Sequence, residues 1–178
     1  MRLNQKFYNQ STLKVARLLL GRFLVRKIGQ QKIIGLITET EAYIGPNDLA
    51  SHASRGRTKR TEIMFGPAGF WYVYLVYGMH YCLNIVTEHK NYPAAVLIRA
   101  VEPSKGLTDK VKTNGPGKLC RAFKIDKNFN AHPAFGRHNQ LWIENQGEKI
   151  KLSQIKKSPR IGVDYAGEYK NKLWRFHL

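Results

Sequence analysis

Glu39 and Glu41 stand two residues apart in the segment ETEAYIGPNDLASH (39–52), close to Tyr43 and His52. A second segment, WYVYLVYGMHYCLNI (71–85), places Tyr72, Tyr74, Tyr77 and Tyr81 around a tight Gly78-Met79 turn. Acids are scarce in this chain, 12 Asp and Glu against 30 Lys and Arg, so a close pair of carboxylates needs a reason. In a surface that receives a polyanion, free carboxylates repel phosphate. A carboxylate can act as a general base towards water or stabilise a developing cation. Aromatic rings offer flat faces on which a nucleobase stacks. An ionised acid among phenol rings therefore points to chemistry on a nucleic-acid base. Arg99 bears on the same point. It lies alone in the apolar run AAVLIRAV (94–101), where a guanidinium needs an anion beside it, and Glu41 would serve.

Strands would carry most of these residues. Phe23–Ile28 and Lys32–Ile44 read as two strands around a Gly29-Gln30-Gln31 turn, and Gly45-Pro46-Asn47-Asp48 ends the second. Alternation along that strand puts Glu39, Glu41 and Tyr43 on one face and Thr38, Thr40 and Ala42 on the other. Phe70–Tyr77 and His80–Thr87 form a hairpin, and Ala94–Val101 a further strand. Ser11 or Thr12 can cap a short helix carrying Leu13, Ala16, Leu19 and Leu20, with Gly21 at its end. A second short helix spans Gly117–Lys124. Leu141–Glu144, Lys149–Ile155 and Leu173–His177 are shorter strand candidates. The stretch up to Glu62, with Arg55, Arg57, Lys59 and Arg60, reads as a basic surface loop. No repeat or linker interrupts the pattern. Residues 1–178 are expected to form a single α+β domain with a curved, largely antiparallel sheet, flanking helices and a protruding β-hairpin.

The 43% hydrophobic content is that of a globular chain, and the net charge of +18 points to a polyanionic partner. Nucleic acid fits through phosphate neutralisation. A membrane surface fits poorly, because no basic amphipathic helix stands out and no apolar run is long enough to span a bilayer. MRLNQKFYNQ lacks an apolar signal segment, so an intracellular protein is expected. Cys82 and Cys120 lie in separate apolar stretches and are expected to be buried, reduced thiols. No two of the six histidines are four apart, and nothing gathers beside His80 and Cys82, so no metal or cofactor is expected. Taken alone, these residues leave bland alternatives open. Glu39 and Glu41 could form a solvated strand face, the tyrosines could be cross-strand packing, Asn84 a bonded core amide and His52 a surface residue.

Five stretches in order, TETEAYIGPNDLASH, MFGPAGFWYVYLVYGMHYCLNIV, VLIRAVEP, GPGKLCRAF and RIGVDYAGEY, closely resemble the alkyladenine (3-methyladenine) DNA glycosylase family. The similarity runs from about Leu18 to Phe176. It implies a monofunctional hydrolase that flips damaged purines from double-stranded DNA and starts base excision repair. 3-Methyladenine is the first substrate implied, with 7-methylguanine, hypoxanthine and ethenoadenine in the same range. By the same resemblance, Glu41 is the catalytic base and Arg99 its orienting partner, lowering the Glu41 pKa and keeping it ionised. Tyr43 and Tyr74 would stack on the extruded base, with cation–π attraction favouring a cationic alkylpurine. His52 would contact the base, and Asn84 would narrow the pocket floor against the guanine amino group. Tyr77 would wedge into the DNA stack, while Met79, His80 and Lys118 would touch the DNA around the flipped nucleotide. A monomer acting in a bacterial cytoplasm is the expectation, with a non-catalytic nucleic-acid-binding module as the alternative.

Overall fold

The computed structural model describes residues 1–108 and 111–178. Two short helices, α1 (Gln5–Tyr8) and α2 (Thr12–Leu19), lead into the strands β1 (Phe23–Ile28), β2 (Gln31–Ile44), β3 (Trp71–Val76), β4 (His80–Val86) and β5 (Ala94–Lys105). Helix α3 (Pro116–Ala122) follows, then β6 (Leu141–Glu144), β7 (Lys156–Ser158) and β8 (Arg175–His177). The strands form one curled antiparallel sheet in the order β3-β4-β5-β2-β1-β6, with β8 joining β2 and β7. The expected α+β fold with its curved sheet and hairpin is thus the fold observed.

Period-2 alternation divides this sheet into a core face and a site face. Trp71, Val73, Leu83, Ile85, Val96, Ile98 and Ala42 point to the core with Val15, Ala16 and Leu19 of α2 and Leu119 and Phe123 of α3. The intervening residues Tyr72, Tyr74, Cys82, Asn84, Ala95, Leu97, Arg99, Glu41 and Tyr43 line a cavity on the opposite face. Thr40, on the core side, donates to the Ala16 carbonyl (2.9 Å) and so anchors β2 to α2. Ser11 precedes α2 as expected, but its side chain makes no cap. Glu88, just after β4, fills that role, accepting from the Thr12 amide (2.7 Å) and hydroxyl (2.9 Å).

β2 and β5 slip past each other where the acids lie. Ile37 faces Val101, Glu39 faces Ala100 and Thr40 faces Ile98, which leaves Thr38 and Arg99 without direct partners. Such bulges bend a strand and re-aim its side chains. On the other edge of β2, Glu39, Thr40 and Glu41 pair with His177, Phe176 and Arg175 of β8. The acids therefore sit mid-sheet, between two strands, not on an exposed edge.

Two expectations change. Lys149–Ile155 is not a strand: it finds no neighbour to pair with, and Gln154 accepts from the Lys151 amide (2.8 Å), closing a 3-10 turn at Leu152–Gln154. The hairpin turns on Tyr77-Gly78, not Gly78-Met79. The Met79 amide bonds the Val76 carbonyl (3.1 Å), and Tyr77 and Gly78 have φ of 51° and 69°. Glycine takes that left-handed conformation freely and a tyrosine does not, so Tyr77 is held in a strained backbone at the hairpin tip.

Candidate active site

The site-face cavity measures about 440 Å³, the size of a small-ligand pocket. Its floor comes from β2 and β5, one wall from the β3–β4 hairpin, and its rim from the loops around His52 and Ile161. Glu41 lies at the floor, closed to bulk solvent. The Ile161 amide donates to its Oε1 (2.9 Å) and the Tyr43 hydroxyl to its Oε2 (2.9 Å). Arg99 Nη1 is 3.5 Å from Oε1. A carboxylate offers about four acceptor positions. Two are filled by hydrogen bonds, and Arg99 adds an ion pair.

The nearer partner of Arg99 is Glu39: Arg99 Nε donates to Glu39 Oε1 (3.1 Å), as does Arg175 Nη1 from β8 (2.9 Å). Glu39, left without a role on sequence grounds, thus fixes the guanidinium that faces Glu41. Arg99 lowers the Glu41 pKa as expected, but the net shift is upward. Burial pushes its carboxyl above the ordinary range, and Arg99, the Ile161 amide and the Tyr43 hydroxyl offset this only in part, with Glu39 adding to the rise.

The pocket walls are neutral aromatics. Burial raises the Tyr43 and Tyr74 phenols well above their ordinary values. His52 accepts or donates at Nδ1 to the Tyr72 hydroxyl (2.9 Å) and meets the Tyr74 ring edge-on at 4.6 Å. Burial, with Arg60 and Arg55 nearby, lowers its pKa to about 4, so His52 is a neutral ring at neutral pH. Asn84 is buried, with Nδ2 donating to the Tyr72 carbonyl (3.1 Å) while it lines the cavity. Cys82 lines the same wall, its thiol pushed up to about 11 by burial.

The hairpin tip stands over the mouth. Tyr77 is 88% and Met79 70% exposed. His80 packs on α3, where a Cβ at Gly117 would come within 2.9 Å of the His80 Cβ; only glycine permits that approach. This contact brings the start of α3 to the tip, with Pro116 lining the cavity. Lys118 is exposed on the same helix and donates to Asn114 Oδ1 (3.1 Å). Of the residues singled out in the sequence, Glu41, Tyr43, His52, Tyr74, Tyr77, Asn84 and Arg99 line the cavity, while Met79, His80 and Lys118 lie outside its lining.

Sequence reasoning missed the Asp48–Arg160 pair. Arg160 bonds both Asp48 oxygens (2.6 and 2.8 Å), and both side chains are wholly buried. Asp48 in turn accepts from the Ile44 and Ala50 amides (both 3.1 Å). The Arg160 guanidinium also lies over Tyr43 (4.7 Å) and Trp174 (5.0 Å) and donates to the Ala42 carbonyl. The pair pins the loop after β2 to the segment carrying Ile161 and backs Tyr43. Asp48 reads in sequence as one more turn residue, although its rarity as an acid was a signal. Among the described residues no three His, Cys, Asp or Glu side chains gather as a metal site, and no helix is long and apolar enough to cross a membrane.

Comparison with known proteins bears on this geometry. A family model described as methylpurine-DNA glycosylase matches residues 6–178. A Legionella pneumophila (strain Corby) protein named "Putative 3-methyladenine DNA glycosylase" is 48% identical over 177 residues, 99% of this chain and 94% of that protein. Proteins with the same name from Myxococcus xanthus and Methanocella arvoryzae are 49% and 48% identical. These matches cover 97% and 98% of this chain and 88% and 91% of the relatives.

Proposed function

The chain belongs to the methylpurine-DNA glycosylase family, and from that premise we propose that it flips a damaged purine out of duplex DNA and hydrolyses its N-glycosidic bond with a water activated by Glu41. The observation that carries this reading is the buried Glu41 carboxylate, held by Ile161, Tyr43 and Arg99 at the floor of an aromatic-walled cavity. The +18 charge draws duplex to the surface. Tyr77 fills the gap left by the flipped nucleotide, offsetting part of a flipping cost of about a few kcal/mol that is smallest at weakened pairs. Met79, His80 and Lys118 steady the DNA around it.

The extruded base stacks between Tyr43 and Tyr74, with neutral His52 against its edge. Glu41 takes a proton from water as the oxygen attacks the sugar carbon. Its charge also stabilises the oxocarbenium-like transition state. A raised Glu41 pKa suits a group that must take up that proton. Alkylpurines leave readily, so 3-methyladenine is the lead substrate, with 7-methylguanine, hypoxanthine and ethenoadenine following. Among the described residues no lysine lines the cavity, so in this reading no Schiff base forms and the backbone stays intact. The enzyme acts as a monomer in a bacterial cytoplasm.

Release of free base from alkylated duplex with chelator present tests this directly. Binding without release would instead favour a non-catalytic binding module, and release abolished by chelator a metal-dependent reaction.

Two variants probe the parts. Tyr77→Ala should shorten lesion retention while leaving the salt dependence of binding to undamaged duplex unchanged, because the phosphate contacts lie elsewhere. Unchanged flipping and excision would remove the wedge assignment. Asn84→Ser should relax discrimination against guanine, whose extra amino group lies on the minor-groove edge. Because Asn84 also bonds the Tyr72 carbonyl, a thermal melt must accompany the rates. An early melt with proportionate loss on guanine and adenine lesions would assign it to structure.

A further inference from the structure

Four cations crowd residues 55–60, and the sequence does not tell them apart. Their placement does. Arg57 bonds Glu62 (2.9 Å) and Asn91 (3.0 Å) and lies over Phe65 (4.6 Å), so it holds its own loop together. Arg60 turns the other way. Its guanidinium lies 5.0 Å from the centroid of the Tyr74 ring and lines the base cavity. Among the described residues no carboxylate comes within 4.0 Å of it.

The other charges of the cavity balance. Glu39 and Glu41 face Arg99 and Arg175, and Arg160 behind Tyr43 is matched by Asp48. Arg60 is the positive charge left over. An aromatic face attracts a cation through its quadrupole, and a second cation sharing that ring meets repulsion from the first. A neutral base stacked on Tyr74 meets no such repulsion. Burial is the main cause of the depressed His52 pKa, and Arg60 and Arg55 add to it in the same direction.

Resting on the glycosylase reading above, we propose that Arg60 is a specificity-determining residue, whose guanidinium beside Tyr74 turns the pocket from cationic towards neutral damaged purines. The two tyrosine rings alone would favour the cation; Arg60 opposes them and broadens the range of lesions the pocket accepts.

The test compares single-turnover kcat/KM for 3-methyladenine, charged as its nucleoside, and for neutral hypoxanthine in the same duplex. Arg60→Ala and Arg60→Gln should each raise the cationic-to-neutral ratio about tenfold. Arg60→Lys, which keeps the charge, should stay near wild type. Arg60 is exposed, and Gln preserves much of its bulk, so at least one uncharged variant should melt like wild type. If both substrates slow by one factor and the salt slope falls by about one, Arg60 is a phosphate contact and the proposal is overturned. An unchanged ratio overturns it as well. A wild type that releases neither base would overturn the glycosylase reading itself, and this inference with it.

Discussion

Glu41→Gln should reduce base excision by on the order of 10³-fold or more, because it removes both a general base and an anion facing the developing cation. Lesion binding should survive, since the amide keeps the shape and can still accept from the Ile161 N–H. The melting temperature should not fall. A raised carboxyl pKa means the folded chain holds that proton more tightly than the unfolded chain. The stability this lends is full below the unfolded value and is lost as pH rises through the folded value. At neutral pH the ionised Glu41 therefore weighs on stability, and a neutral isostere removes that load. The same shift sets the acid limb of the rate profile: activity should fall, as pH is lowered, above the range of an ordinary carboxylate. His52, with its pKa near 4, should contribute no limb at the usual histidine value. Single-turnover rates, a melt and a pH profile test all three points together. A mutant as fast as wild type would remove Glu41 from the mechanism.

Breaking the Asp48–Arg160 pair should have the largest effect on stability. Arg160→Met leaves Asp48 charged and wholly buried, and Asp48→Leu does the same to Arg160. Loss of one partner of a buried pair costs about 3–5 kcal/mol, because the other charge stays desolvated. The double variant should regain much of that loss, which denaturant unfolding can measure as a coupling between the two sites. Equal, additive losses would mean that the two side chains act independently. Excision should drop in the single variants even where they fold, because Arg160 backs Tyr43 and precedes Ile161 in the chain.

The sheet was legible because its strands obey one rule. Alternation in TEAY, WYVY and CLNI separates core from cavity residues, and the structure keeps that division as far as Leu75 and Val76 at the hairpin end, which both line the cavity. Lys149–Ile155 fails because alternation says nothing about whether a partner strand exists. The turn centre at Tyr77-Gly78 was misplaced because a left-handed tyrosine runs against local preference, and only the hairpin register reveals it. Glu41 and Arg99 were readable as charges in need of partners. The involvement of Glu39 and Arg175 was not, because it depends on bulges that leave Thr38 and Arg99 unmatched and on β8 reaching β2 from the far end of the chain. The sign of the Glu41 shift was missed for a related reason. Sequence names the neighbouring guanidinium but not the depth of burial, and burial is the larger effect.

The central claim is hydrolytic removal of a damaged purine, and one reaction tests it most directly. Alkylated duplex is incubated with excess enzyme in two parallel portions, one without borohydride in which free purine, strand breaks and alkali-labile sites are counted, and one with borohydride in which protein–DNA adducts are counted. The account predicts free purine equal in amount to the new alkali-labile sites, no strand break before alkali and no covalent adduct. A trapped adduct, or a strand cut without alkali, would contradict the water mechanism, and the absence of free purine would contradict excision itself.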